Sequence, residues 1–137
     1  MLIDSNILVY SINSSSPKHD TAQEFLQEKR SHLEVAHQNI FETLRVLTHP
    51  KFSNPMRIND AVDAVDNILL ASNIIAPDYR THRIALELIK KYNIVSNQIF
   101  DAYLVATAIS NGVDKIATDN IKDLQLFSEI FVINPFS

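Results

Sequence analysis

Apolar residues recur along this chain in two rhythms. At Leu2-Ile3, Leu33 to Ala36, Ile74 to Ala76, Lys115 to Thr118 and Phe131 to Ile133 they gather in short runs of strand character. Between the runs they return every three or four residues. Ile58, Val62, Val65 and Leu69 follow at i, i+4, i+7 and i+11 with Asp60, Asp63 and Asp66 interleaved, which predicts an amphipathic helix with an acidic outer face. Ser16-Pro17 reads as an N-cap followed by the first helical residue, with Ala22, Phe25, Leu26 and Lys29 continuing the helix. Ile84, Leu88 and Lys91 predict another. Phe100, Leu104, Val105, Ala108 and Ile109 predict the last, ended by Asn111-Gly112 as a C-cap. Ser14 to Pro17 and Ser53 to Pro55 read as loops. Strands alternating with helices predict an α/β fold, a three-layer α/β/α arrangement in which helices cover both faces of a mostly parallel sheet.

Composition narrows the chemistry. The 137 residues suit one domain, spanning 1–137, and no internal repeat or linker divides them. The absence of Cys removes disulfides, thiolate zinc sites, iron–sulfur clusters and cysteine nucleophiles. Gly112 is the only glycine, which excludes the glycine-rich dinucleotide and nucleotide phosphate loops. No apolar run reaches the roughly 18 residues of a membrane span, and Met1-Leu2-Ile3-Asp4 has no basic leader. A soluble, cytoplasmic protein with no membrane contact is expected. Sixteen acidic residues against twelve Lys and Arg argue against a passive nucleic-acid coat held by bulk positive charge. They leave room for an acidic metal site with local basic neighbours.

In an open parallel sheet, ligands bind beyond the carboxyl ends of the strands, where the following helices begin. Asp4 directly follows the first strand and Asp119 the strand Lys115 to Thr118; Glu42 and Asp101 fall in first turns of helices starting near Asn39 and Asn97. All four are expected in one crevice. Crowded carboxylates repel, so such a site either holds a proton at raised pKa or is neutralised by a cation. Hard divalent ions such as Mg²⁺ and Mn²⁺ favour oxygen ligands, and they can activate water and offset the charge of a phosphodiester transition state. Each acid also has a structural reading. Asp4 and Asp119 suit helix N-caps, Asn39 to Glu42 suits a capping box in which Glu42 returns to the Asn39 amide, and Asp101 is favoured by the helix dipole.

The segments around these acids resemble the PIN-domain ribonucleases, and among them the VapC toxins of prokaryotic toxin–antitoxin pairs. Leu2 to Leu8 is similar to the family's opening signature, and Asn39 to Pro50 to the segment carrying its second acid. Phe100-Asp101-Ala102 with Ala106 to Ala108 resembles the helix of the third acid. Ala117 to Leu124 resembles the turn of the fourth, with Leu124 where Phe is usual, and Ile133 to Phe136 the C-terminal ending. The resemblance spans essentially the whole chain. It implies a PIN-like fold and an endoribonuclease dependent on Mg²⁺ or Mn²⁺ that acts as the toxin of a type II toxin–antitoxin pair. It also implies a metal site of Asp4, Glu42, Asp101 and Asp119, with Asp123 a supporting acid whose role is interchangeable with that of Asp119. Ser5, Asn6 and Thr118 would position water or ligands. The implied partners are RNA, a cognate protein antitoxin and a second copy of the chain.

The remaining polar residues give weaker signals. The five His are scattered, without the spacing of a zinc helix, and His49 beyond a helix end reads as a cap. Arg45 shares a helix face with Glu42 and either pairs with it or reaches a phosphate. Lys51, Arg57, Arg80, Arg83, Lys90 and Lys91 form either a basic rim or an ordinary solvated face. Phe41, Phe52, Phe100 and Phe127 are expected to pack in the core rather than stack on bases. Two other functions compete with the nuclease. One is a catalytically weak PIN-like module that binds RNA or protein. The other is a phosphotransfer domain with Asp4 as nucleophile and Lys115 or Lys122 as its cation.

Overall fold

The computed structural model describes residues 1–137. In chain order it has β1 (Leu2–Ile3), α1 (Ser5–Ile12), α2 (His19–Glu28), β2 (Glu34–Ala36), α3 (His37–Thr48) and α4 (Ile58–Leu69). These are followed by β3 (Asn73–Ile75), α5 (Thr81–Tyr92), α6 (Gln98–Ser110), β4 (Lys115–Ala117), α7 (Ile121–Leu124) and β5 (Phe131–Ile133). The strands form one sheet in the order β3-β2-β1-β4-β5, and every pairing is parallel. The strand order therefore reverses direction at β1, which opens a crevice between β1 and β4 at their carboxyl ends.

Side-chain alternation along the strands divides the core between the two faces. Leu2, Ala36, Ile75 and Ile116 point to one face and pack with Ala85 and Leu88 of α5, most of α6, and Leu124, Phe127 and Ile130. Ile3, Val35 and Ala117 point to the other and meet Ile7, Leu8, Ala22 and Leu33. Val9, Leu47, Ala61 and Val65 extend that second layer by packing α1 against α3 and α4. The three-layer α/β/α arrangement follows.

Three local expectations change. The predicted helix start at Ser16-Pro17 falls two residues early: Ser16 Oγ accepts from the Lys18 amide at 3.1 Å in a turn, and α2 begins only at His19. The α3 start near Asn39 falls two residues late, because β2 leads straight into α3 at His37 and Asn39 sits inside the first turn. The α6 segment is buried on nearly all sides, not on one. Ala102, Ala106 and Ala108 let it lie close between the sheet and α5, so from Ala102 onward it has no solvent face to keep polar. Its end is as expected, with Asn111 at the C-cap and Gly112 at φ +73°, the left-handed conformation glycine adopts without cost. No helix is long and apolar enough to cross a membrane.

Candidate metal centre

The crevice between β1 and β4 is built from the backbone outward. The Asp4 amide donates to Ala117 O at 2.9 Å, the last rung joining the two strands. Past that rung Asp4 becomes the N-cap of α1, its Oδ1 accepting from the Ser5 amide at 2.8 Å. Its Oδ2 accepts from Thr118 Oγ1 at 2.8 Å, and Asn39 Nδ2 approaches Oδ1 at 3.4 Å. The capping reading and the cluster reading of Asp4 are thus both satisfied by one rotamer. Burial raises its pKa, and the neighbouring charge of Glu42 adds to that rise, while the bonds from Thr118 and Ser5 oppose it.

Glu42 does not return to the Asn39 amide. Asn39 is wholly buried and takes the capping role itself, its Oδ1 accepting from the Ala36 amide at 3.3 Å. Glu42 is left free to face the crevice, where Ser5 Oγ donates to Oε2 at 3.0 Å and Gln38 Nε2 to Oε1 at 2.9 Å. Asp101 lies in the first turn of α6 as predicted. Ser96, one residue before the Asn97 N-cap, has φ 57°, an uncommon conformation for serine at the entry to this helix.

Glu42, Arg45, Asn97, Phe100, Asp101 and Asp123 line an open cleft of about 530 Å³. Asp101 accepts no hydrogen bond from the chain, whereas the other acids are held by donors. Burial, then the charges of Asp123, Asp4 and Glu42, push its pKa up to about 7. Asp123 stands in this cluster because α7 turns it inward, with Asn120 Nδ2 donating to its Oδ2 at 2.6 Å. A larger hollow of about 940 Å³ lies at the opposite edge of the sheet, between the ends of α2 and α4, and holds no comparable group of acids.

Asp119 departs from the expected crevice. It does not line the cleft; its Oδ2 accepts from Tyr10 OH at 2.9 Å and pairs with Lys18. Burial alone would raise its pKa, but Lys18 and Tyr10 together hold it below the ordinary carboxylate value. The physical reason is the turn after β4. Asn6 Oδ1 accepts from the Asp119 amide at 3.1 Å, and Thr118 Oγ1 from the Asn120 amide at 2.9 Å. That turn directs Asp119 toward α1 and leaves the cleft to Asp123.

Other sequence readings sort themselves similarly. His49 is the C-cap of α3, its Nδ1 accepting from the Lys51 amide at 3.0 Å. Arg45 lines the cleft but pairs with neither Glu42 nor any other acid. Arg80 and Lys91, two members of the basic rim, are engaged with Asp78 and Glu129. Of the four phenylalanines expected in the core, only Phe127 is fully buried, while Phe41 and Phe100 are exposed. Their helical spacing is apolar, yet no element covers that side of α3 or the start of α6. Neither Lys115 nor Lys122 forms an ion pair with Asp4. The sequence pattern does not single out Gln38, and it marks Asn39 only as a cap. The spacing of Gln38 and Asn39 from Glu42, four and three residues, was the available signal for both.

The donors suit a hard divalent cation: oxygen ligands only, an excess of negative charge, and one acid without a hydrogen-bond donor. As the side chains stand, no three of them are close enough to form a ligand group.

With this geometry in hand, comparison with known proteins places the chain. It is 28% identical to the ribonuclease VapC24 of Mycobacterium tuberculosis over 98% of its length and 96% of that protein. A chain of a toxin–antitoxin complex from Klebsiella pneumoniae superposes with a TM-score of 0.70 at 19% identity, over 98% of this chain and 96% of that one. VapC20 of Mycobacterium tuberculosis, a toxin cleaving the sarcin–ricin loop, gives a TM-score of 0.70 at 17% identity, over 94% and 97% of the two chains. These structures share the fold. The model of the PIN domain matches residues 1–125, from β1 through α7, the helix that carries Asp123. The chain belongs to the PIN domain family.

Proposed function

We propose that this chain is an endoribonuclease dependent on Mg²⁺ or Mn²⁺, acting in the cytoplasm as the toxin of a type II toxin–antitoxin pair. One observation carries the reading: acids from four separate segments gather at the carboxyl edge of β1 and β4, and Asp101 among them accepts no hydrogen bond while its neighbours crowd it with like charge. The likeness to a protein named as a ribonuclease and to chains of toxin–antitoxin complexes supports the substrate and the biological setting. It also supports a protein antitoxin as a partner; a second copy of the chain is the other partner we infer.

Asp4, Glu42, Asp101 and Asp123 would hold the cation. Bound there, a divalent ion supplies water activation and charge stabilisation for phosphodiester hydrolysis. The chain's own residues prepare the site. Thr118 and the Ser5 amide fix Asp4, Ser5 and Gln38 fix Glu42, and Asn120 fixes Asp123. Only Asp101 is left without a restraining bond, so its carboxylate is free to adjust to an ion. Asp119 is assigned a structural part, tying the β4–α7 turn to α1 and Lys18.

A second reading, a catalytically weak PIN-like module binding RNA or protein, draws on the lack of a preformed three-acid ligand group. Incubation of purified protein with total tRNA and rRNA separates the two. Cuts at few positions that need Mg²⁺ or Mn²⁺, stop with chelator and vanish in Asp101→Asn are expected of the nuclease. Intact RNA under every metal, from folded protein, would favour the binding module.

A further inference from the structure

The cleft carries two features that its acids do not explain. Arg45 is its only cation, and it stands three residues along α3 from Glu42 without pairing with any carboxylate of the protein. A guanidinium in that position keeps its planar fork of donors available for a phosphate. Phe100 stands beside it on the wall of the cleft and is 62% exposed. Phe41, one turn before Arg45 on the same side of α3, is 67% exposed.

Phe100 is not on a loose segment. Its carbonyl accepts from Gln38 Nε2 at 3.1 Å, and the same amide nitrogen donates to Glu42 Oε1 at 2.9 Å. One side chain thus ties the backbone beneath the ring to the acid at the centre of the site. The ring is held at a fixed offset from Glu42 and Asp101, with its face unused by the protein.

We propose that Arg45 and Phe100 form a subsite for one unpaired nucleotide next to the scissile phosphate, Arg45 binding its phosphate and Phe100 stacking on its base. The proposal rests on the ribonuclease reading and adds which residues of this chain hold a splayed-out base and its phosphate beside the cut. A base inside a duplex is already stacked on its neighbours and cannot present a face to a ring on a cleft wall. The unpaired fork and the open ring favour RNA over a protein segment at this cleft. Three carboxylates and one apolar residue give an apolar peptide little to bury, whereas a nucleotide offers a phosphate to Arg45 and a base to Phe100, and a cation held by the acids would offset their repulsion of the backbone.

The test measures RNA affinity in an Asp101→Asn background, in which cleavage is expected to be lost, using a mixed-sequence single-stranded oligoribonucleotide and a fully paired duplex of equal length. The single strand should bind at least about tenfold more tightly. Phe100→Ala should weaken single-strand binding by about tenfold and leave duplex binding unchanged, with Phe100→Tyr restoring it. Arg45→Ala should lower the slope of log affinity against log salt by about 1 for the single strand. Because Phe100 is exposed, these variants should keep the parental melting temperature. Single-strand affinity within twofold of the parent in Phe100→Ala, or equal losses for duplex and single strand, would overturn the subsite. The nuclease reading fails separately, through the absence of metal-dependent cleavage by the unmodified chain. Cleavage with an unchanged KM in Phe100→Ala would sink the subsite alone and leave the rim to protein contacts.

Discussion

Tyr10 donates its phenolic hydrogen to Asp119 at 2.9 Å, and Lys18 closes on the same carboxylate oxygen. The Tyr10 ring meets Phe136 edge-on at 5.4 Å, and the Lys18 ammonium lies 5.2 and 5.3 Å from the two ring centroids. One acid therefore joins α1, the segment before α2, the β4–α7 turn and the C-terminal residues. Its charge is spent on that junction.

Asp119 before α7 and Asp123 within it should accordingly separate by mutation. Asp119→Asn should cost about 1 kcal/mol of stability, the worth of a partly exposed charge-assisted contact, and leave cleavage within roughly threefold. Because Asp119 is held below its ordinary value of 3.8, this contribution is complete above pH 3.8 and disappears as pH falls through the lower folded value. Asp123→Asn should lower cleavage by more than roughly 100-fold, beyond the effect of losing an outer-shell partner, with little change in melting temperature. Cleavage assays beside thermal melts of both variants check the assignment; the opposite pattern would make Asp119 the ligand.

Asp101 should make the metal-free fold less stable as pH rises. Its folded pKa of about 7 exceeds the ordinary 3.8, so between those values the folded chain keeps a proton that the unfolded chain releases. Stability from this group is full below pH 3.8, falls up to about pH 7 and stays low above it. Asp101→Asn removes the penalty. With its half-exposure discounted for solvent screening, the variant should gain on the order of 1–2 kcal/mol at pH 8 and almost nothing at pH 4. Calorimetry in chelator at the two pH values measures the difference, and a gain independent of pH would contradict burial and carboxylate crowding as its cause.

A cation that binds only the folded chain should relieve the same repulsion. Mg²⁺ or Mn²⁺ at about 100 times its dissociation constant should stabilise the protein by roughly 2.7 kcal/mol. Asp101→Asn should lose most of that shift. Thermal melts across a metal titration provide the readout independently of any RNA cleavage, and identical shifts in both proteins would place the ion elsewhere.

Thr118 supports the site from beneath. It is wholly buried, donates to Asp4 at 2.8 Å and accepts from Asn6 Nδ2 at 3.0 Å and the Asn120 amide at 2.9 Å. Thr118→Val keeps the shape but strands three polar partners, at an expected cost of about 2–3 kcal/mol. Thr118→Ser keeps the hydroxyl and should recover most of it. Denaturant melts of both variants decide, and equal losses would mean that the methyl, not the hydroxyl, matters.

Local sequence carried much of the result. The strand runs, the α4 periodicity and the Asn111-Gly112 stop are written in neighbouring residues, because strand alternation, helical repeat and a left-handed C-cap depend on a few adjacent side chains. The placement of Asp4 beyond β1 and of Asp101 in the first turn of α6 followed from the same local rules together with the geometry of parallel sheets. The starts of α2 and α3 differ from expectation because the Ser16 hydroxyl and the Asn39 carboxamide serve backbone amides in a turn or a first helical turn as readily as at an N-cap.

Only the tertiary structure chose between Asp119 and Asp123. Asp119 precedes α7 and Asp123 lies within it, only four residues on, and neither spacing nor composition tells which faces the cleft. The choice is made by Tyr10, Lys18 and Asn6, more than a hundred positions away in sequence, whose bonds draw Asp119 to one side. The same holds for Phe41 and Phe100, whose apolar spacing belongs to a core helix but whose sides no other element covers. Periodicity states which residues share a face. What lies against that face is decided by segments distant in the chain, and with it whether a carboxylate is paired or left to a cation, and whether a ring is buried or open to a base.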